Sequence, residues 1–290
     1  MNAIALGLVL VAAFLHAIWN CFTKTSLHKL SFIWWFMLAS LMLYFPLFVY
    51  HFPQTTLSPK AVGCIFGSGL LHGSYFWFLG GAYEKADLSL VYPISRGATP
   101  IFVAVLAAVL IKERLSFCGI IGISLVVLGI YILHLKSFDS RSFFEPFSYL
   151  KSTASFLALA TGASNGAAAL IDKVGVHLVS PPVYIYLMFS VAFMTLCPLP
   201  FILGKDRLRT EWHVNGRAIA ANGVLVLLTY LLTLFAMRIS LVSYVITVRN
   251  ASIVFSALFG ILWLGERHGP QKLVGAVFIT AGVVLIGFSS

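Results

Sequence analysis

The chain has 290 residues, 60% of them hydrophobic and only 10% charged, with a net charge of +10. A water-soluble domain carries ~25% charged residues, so the composition excludes a soluble globular fold and points to a chain solvated by lipid, where charge is costly. The positive excess does not read as nucleic-acid binding, because the bases sit in short linkers between apolar runs, not along a stripe or arm. It suits anionic lipid headgroups and the orienting of membrane spans.

A helix needs ~20 apolar residues to cross the hydrocarbon core. In chain order, runs of that kind occupy 2–22, 31–51, 60–82, 88–111 and 117–135. The first is read as a span and not as a removed signal peptide, since no basic segment precedes it and no small-residue cleavage site follows. A polar stretch over 136–151 contains Lys136, Asp139, Arg141, Glu145, Pro146 and Lys151. A second set of runs occupies 152–172, 182–203, 217–237, 241–264 and 271–289. Pro181-Pro182 and Gly204-Lys205-Asp206 mark clear breaks. The expected fold is an all-α integral membrane protein with ten transmembrane helices. It divides into a five-helix N-terminal repeat over 1–135, a polar hinge over 136–151 and a five-helix C-terminal repeat over 152–290.

The two sets share a text. Leu88 to Arg114 reads LSLVYPISRGATPIFVAVLAAVLIKER, and Leu241 to Arg267 reads LVSYVITVRNASIVFSALFGILWLGER. An offset of 153 places Arg96 on Arg249, Ala98 on Ala251, Phe102 on Phe255 and Glu113-Arg114 on Glu266-Arg267, then Gly122 on Gly275 and Gly129 on Gly282. Five spans per repeat is an odd number, so the second repeat enters from the opposite side, giving inverted repeats about a pseudo-twofold axis in the membrane plane. Secondary transporters are built this way, with the site near the midplane at the repeat interface. Linkers after odd-numbered spans are the richer in Lys and Arg, chiefly through Lys205, Arg207, Arg209 and Arg217, which favours both termini outside a plasma (inner) membrane. Cys21, Cys64, Cys118 and Cys197 are isolated and read as small apolar residues, with neither metal-ligand nor disulfide spacing.

Arg96 and Arg249 each lie ~12 Å deep in their spans at 1.5 Å rise per residue. Guanidinium keeps its proton there and must meet an anion, backbone carbonyls or water. Helical spacing puts Tyr92, Thr99 and Val103 on the face of Arg96, and Val245, Ser252 and Ser256 on that of Arg249. A cation beside hydroxyls suits a carboxylate or phosphate. Pro93 and Pro100 can kink their helix and free carbonyls. Glu84, Asp87 and Asp172 are read at span ends, with no acid mid-span, which leaves a ligand as one source of negative charge. Two readings of the arginines stand: cavity lining, or bonds to neighbouring carbonyls that lock the fold. His16 is either a protonation switch or a histidine bonded across helices, and His72 is a weaker case of the same. Trp19, Tyr75, Trp77, Tyr92 and Tyr230 are aromatics available to a cavity, with Tyr75 and Tyr230 at comparable places in the third and eighth spans. The Glu113-Arg114 and Glu266-Arg267 pairs read as helix caps or interface salt bridges. Gly119, Gly122, Gly129, Gly275 and Gly282 suit close helix packing, and Gly63, Gly67 and Gly80-Gly81 suit packing or flexibility.

These residues carry a family likeness. The chain resembles the drug/metabolite transporter (DMT) superfamily, in its ten-span EamA-type members, over essentially its full length. The likeness is strongest in the fourth-and-fifth and ninth-and-tenth spans, with Lys112-Glu113-Arg114 and Gly265-Glu266-Arg267. His16-Ala17-Ile18-Trp19-Asn20 followed by Lys24 is similar to the family's first span, and Ser164-Asn165 with Lys173 answers it. The resemblance implies a central cavity between the repeats, alternating access, and a small polar or amphipathic cargo. Small multidrug members of the superfamily hold a first-span glutamate eight positions before a lysine. Here those positions are His16 and Asn165, which argues against proton-coupled export of cations.

The expected function is secondary transport of a small organic metabolite, anionic or zwitterionic. The expected substrate-binding set is Arg96, Arg249, Tyr92, Thr99, Ser252, His16, Trp19, Asn20, Asn165, Tyr75 and Tyr230. No catalytic residue, metal site or cofactor is expected, and no phosphate-binding loop occurs. The expected partners are a small-molecule substrate and membrane lipids, with no nucleic acid and a monomer or homodimer. The alternatives are export of neutral or cationic amphipathic compounds, lipid scrambling, and, last, an intramembrane enzyme acting on lipid phosphates.

Overall fold

The computed structural model describes residues 1–85, 88–135, 137–139, 152–264 and 269–289, and every regular element among them is helical. The first repeat comprises α1 (Ala3–Thr25), α2 (Lys29–His51), α3 (Pro59–Lys85), α4 (Leu88–Leu110) and α5 (Phe117–Leu133). The second comprises α6 (Thr153–Leu178), α7 (Pro181–Leu196), α8 (Leu199–Leu203), α9 (Lys205–Ile239), α10 (Val242–Arg249), α11 (Ser252–Leu264) and α12 (Pro270–Phe288). Eight segments are long and apolar enough to cross a membrane, with α7–α8 and α10–α11 each counting as one, and α4 and α5 supply two shorter apolar helices. The ten expected crossings are thus present. Large apolar side chains such as Met42, Phe66, Val109, Phe201 and Leu273 stand exposed, as lipid contact requires.

Three boundaries differ from the sequence reading. The sixth span runs on past Asp172 to Leu178. The segment read as a linker before 217 is helical from Lys205, joined to the eighth span through non-helical Asn215. Glu211 explains its order: the buried carboxylate accepts from the His28 backbone N–H at 2.6 Å and from Asn215 Nδ2 at 2.6 Å. Trp35 adds a bond from Nε1 to the Leu208 carbonyl at 2.9 Å. The third difference concerns the arginine spans. α4 is helical throughout despite Pro93 and Pro100, whereas its counterpart, without proline, breaks at Asn250-Ala251 directly after Arg249.

The repeats interlock, and the pairing respects their equivalence. α1 packs on α9 and on α11, while its counterpart α6 packs on α3 and α4. α2 packs on α9 as α7 packs on α3, and α2–α7 and α5–α12 pair with their own counterparts. Exchanging the repeats maps this set onto itself, which is the signature of a pseudo-twofold axis. The α5–α12 seam shows it at atomic scale. A Cβ on Gly122 would lie 2.8 Å from the Gly282 carbonyl oxygen, and one on Gly129 would lie 2.8 Å from that of Gly275. Only glycine allows backbones so close. Glu113 also joins the halves: its carboxylate accepts from the Val242 N–H (2.8 Å), the Ser243 N–H (3.3 Å) and the Ser243 hydroxyl (2.8 Å). It is therefore a cap, placed on the first turn of α10 in the other repeat. Glu266 and Arg267 lie outside the described residues.

Candidate functional site

A cavity opens where the repeats meet. It is lined by His16 and Trp19 (α1), Phe36 and Met37 (α2), His72, Tyr75 and Phe76 (α3), Arg96 (α4), Asn165 (α6), Phe189 and Ala192 (α7), Val226, Thr229 and Tyr230 (α9) and Arg249 (α10). It offers ≈ 80 Å³ to the centres of water-sized spheres, and one water needs ~10–15 Å³ on that measure. The space therefore admits several waters or a small solute.

Its two cations come from equivalent helices. Arg96 is 9% exposed and Arg249 7%, so each guanidinium is held away from bulk water. Arg96 Nη2 lies 3.5 Å from His16 Nε2, at the outer edge of hydrogen bonding. Guanidinium only donates, so in this contact the ring nitrogen stands as the acceptor. His16 in turn meets the Trp19 indole edge-on, with ring centroids 4.7 Å apart. Arg249 sits over the Tyr230 ring, 5.6 Å from its centroid, within cation–π range.

Behind Tyr230 lies a group that the sequence reading misplaced. Asp172 is not at a span end. It is fully buried inside α6 and takes four hydrogen bonds from three other helices. Ser68 Oγ and Tyr184 Oη donate to Oδ1, the latter at 2.8 Å, and Tyr230 Oη donates to Oδ2. His72 Nε2 lies 3.3 Å from Oδ2 and 3.1 Å from Tyr230 Oη. The carboxylate thus ties α6 to α3, α7 and α9. Ser68 and His72 stand four apart in α3 and therefore share one helix face. That polar face was the signal in the sequence that would have located it.

Of the expected site residues, His16, Trp19, Tyr75, Arg96, Asn165, Tyr230 and Arg249 line the cavity, and Asn20, Thr99 and Ser252 do not. The Thr99 hydroxyl turns back to the Ser95 carbonyl at 2.9 Å, the usual outcome for a mid-helix threonine. Ser252 lies beyond the break at Asn250-Ala251, which takes it out of helical phase with Arg249. The side chain of Tyr92 lies outside the described residues. Sequence reasoning missed the apolar wall of Phe36, Met37, Phe76, Phe189 and Val226, and it missed Thr229. Among the described residues, the Thr229 hydroxyl has no hydrogen-bond partner at the cavity, and neither has Trp19 Nε1.

The EamA-like transporter family model matches residues 3–135 and 152–288. The chain belongs to the EamA-like transporter family. It is a multi-pass membrane transporter. An "Uncharacterized transporter" from Archaeoglobus fulgidus is 26% identical over 213 residues, covering 73% of this chain and 69% of that protein. A solved crystal structure superposes with a TM-score of 0.72 at 15% identity, over 98% of this chain and 96% of the other. At that identity the likeness bears on the fold alone.

Proposed function

We propose that the protein is a secondary transporter that carries a small organic anion or zwitterion across the plasma (inner) membrane by alternating access, with Arg96 and Arg249 facing the cargo. The observation that carries this reading is the charge of the cavity. Two buried guanidiniums border it, while Asp172, the acidic side chain beside it among the described residues, is already enclosed by four donors. Two guanidiniums bordering one cavity suit a carboxylate or phosphate, which a guanidinium recognises as a planar fork. The apolar wall suits the cargo's carbon skeleton. Trp19 Nε1 and the Thr229 hydroxyl supply further donors.

The test is uptake into proteoliposomes from a panel of carboxylates, phosphorylated compounds and amino acids. Losing one member of a buried charge pair costs ~2–5 kcal/mol, so Arg96→Ala and Arg249→Ala should each lower uptake at limiting substrate by ~30-fold or more. Either variant transporting like the parent, with an unchanged elution profile, overturns the assignment. A scramblase would instead equilibrate labelled lipid with no saturable uptake of any solute.

A further inference from the structure

Cargo recognition by the arginines leaves the Asp172 cluster without a task. Its hydrogen bonds constrain where a proton can go. The Tyr230 hydroxyl proton is committed to Asp172 Oδ2, and a carboxylate is acceptor-only. Both neighbours of His72 Nε2, Asp172 Oδ2 and Tyr230 Oη, are therefore acceptors toward it, so Nε2 carries the hydrogen. The lone pair of the neutral ring then lies on Nδ1. His72 borders the cavity, so a proton arriving through it has a basic nitrogen to join and a carboxylate 3.3 Å behind the ring to balance the charge.

We propose that the His72–Asp172 pair is the site of a coupling proton, bound together with an anionic cargo and released with it on the opposite side, so that the protein is a proton–anion symporter; this rests on the arginine-centred reading above. On loading, the Nδ1–H bond forms as the proton leaves hydronium, and on release that bond breaks to water. No other bond changes. Tyr230 links the two events, since its hydroxyl touches both His72 and Asp172 while its ring lies under the Arg249 guanidinium. With His72 neutral the two arginines and Asp172 sum to +1, and with His72 protonated they sum to +2. Each bound species therefore strengthens binding of the other, by the same factor.

The titratable and charged groups around the pair are Tyr184 of α7, Tyr230 of α9, Arg249 of α10, Cys64 on α3 and, across the cavity, Arg96 of α4 and His16 of α1. His16 is the competing histidine. Its Nε2 faces Arg96, so a proton there would meet a guanidinium, and among the described residues no carboxylate is in contact with it. Of the two histidines, His72 is the one with a counter-ion in contact among the described residues.

The full chain in liposomes tests this, with L-lactate, inorganic phosphate, L-glutamate and L-alanine as probes. Counterflow at equal pH reads cargo exchange, and accumulation driven by an alkaline interior reads coupling. The wild type should accumulate the probe it exchanges best, with proton influx reported by an entrapped pH dye. His72→Gln and Asp172→Asn should lose ~tenfold or more of the driven accumulation and keep counterflow, a loss within the usual range of coupling energies. His51→Gln, at the end of α2 and outside the cavity lining, should keep both. Driven accumulation that survives in His72→Gln overturns the proposal, as does wild-type counterflow with no proton influx. Folded variants that lose counterflow and accumulation together also overturn it, because the cluster would then serve binding or structure alone. Absence of wild-type counterflow for every probe sinks the arginine-centred reading itself.

Discussion

Arg96 and Arg249 occupy the same place in two copies of one motif, yet their surroundings have diverged. On the Arg96 side the neighbour is His16, backed by Trp19 and Phe36. On the Arg249 side the helix ends at the arginine, and the neighbour is Tyr230, backed by a buried carboxylate and a second histidine. Aligning Lys24 on Lys173 puts Thr23 opposite Asp172. Thr23 makes ordinary bonds, to the Trp19 carbonyl at 3.0 Å and from Asn222 Nδ2 at 3.3 Å. The duplication supplied two cations in symmetric positions. The difference lies behind them, where, among the described residues, the Arg249 side has an ionisable pair, built from one residue of each repeat. A symmetric frame can move, and an asymmetric pocket can tell one charge state from another.

The largest way to break that contrast is to remove the carboxylate. Asp172→Ala strands the hydroxyls of Ser68, Tyr184 and Tyr230 without their acceptor at a fully buried position. Each orphaned buried donor costs ~1–3 kcal/mol, so the variant should lose ~3 kcal/mol or more of stability. Thr23→Ala, the equivalent change in the first repeat, removes one ordinary pair of bonds and should cost ~1 kcal/mol. Thermal unfolding of both variants in detergent measures the difference. Equal losses would mean that the Asp172 network is no more than one polar contact among others.

Much of the frame was legible in the chain because it is written twice. The repeat offset located both arginines, the glycines of the α5–α12 seam and Glu113, read as a cap or an interface salt bridge, since each rests on identity at a fixed position. Asp172 was not legible, because a hydropathy window ends at the first charge. Asp172-Lys173 looks like the end of a span, although Lys173 only turns to the Met237 and Ser240 carbonyls at the end of α9. The break after Arg249 was hidden for the opposite reason. Proline marks the helix that stays continuous, and Asn250 in the helix that breaks carries no strong local signal. The helical start of α9 was hidden by its charges, which suit an aqueous linker as well as an interfacial turn held by Glu211.

The glycine seam offers a comparison in which the repeats should behave alike. Gly129 and Gly282 are equivalent by the 153-residue offset. A Cβ on Gly129 would meet the Gly275 carbonyl oxygen at 2.8 Å, and one on Gly282 would meet that of Gly122 at 2.5 Å. Either alanine must push α5 and α12 apart, and overpacking of this kind costs ~1–3 kcal/mol. The two losses should match within ~0.5 kcal/mol, the ordinary scatter between independent sites. Gly63→Ala is the control, with nothing within 4 Å of its added carbon. It should be neutral or slightly stabilising, as alanine is the better helix former. A large gap between Gly129→Ala and Gly282→Ala would show that the pseudo-twofold does not extend to the energetics of the seam.

The smallest expected effect lies at the turn that presents Glu113. Lys112 has φ of 57°, and it is the non-glycine residue with positive φ among the described residues. It closes α4, where the Glu113 N–H returns to the Ala107 carbonyl at 3.0 Å, and this left-handed step aims Glu113 at the first turn of α10. A side chain with a Cβ is strained there by ~1–2 kcal/mol, and glycine is the residue that relieves it. The second repeat has Gly265 at the equivalent position, so the two copies of the motif differ at the residue that this geometry constrains most. Lys112→Gly should therefore raise stability, by less than the strain removed, because glycine also gives the unfolded chain more freedom. A net gain of ~0.5–1 kcal/mol follows, readable as a higher unfolding temperature in detergent. The side chain is exposed, so no packing is lost to obscure the result. A lower unfolding temperature would mean that the lysine contributes something at the membrane surface that outweighs its backbone strain, and that the first repeat keeps it for that reason.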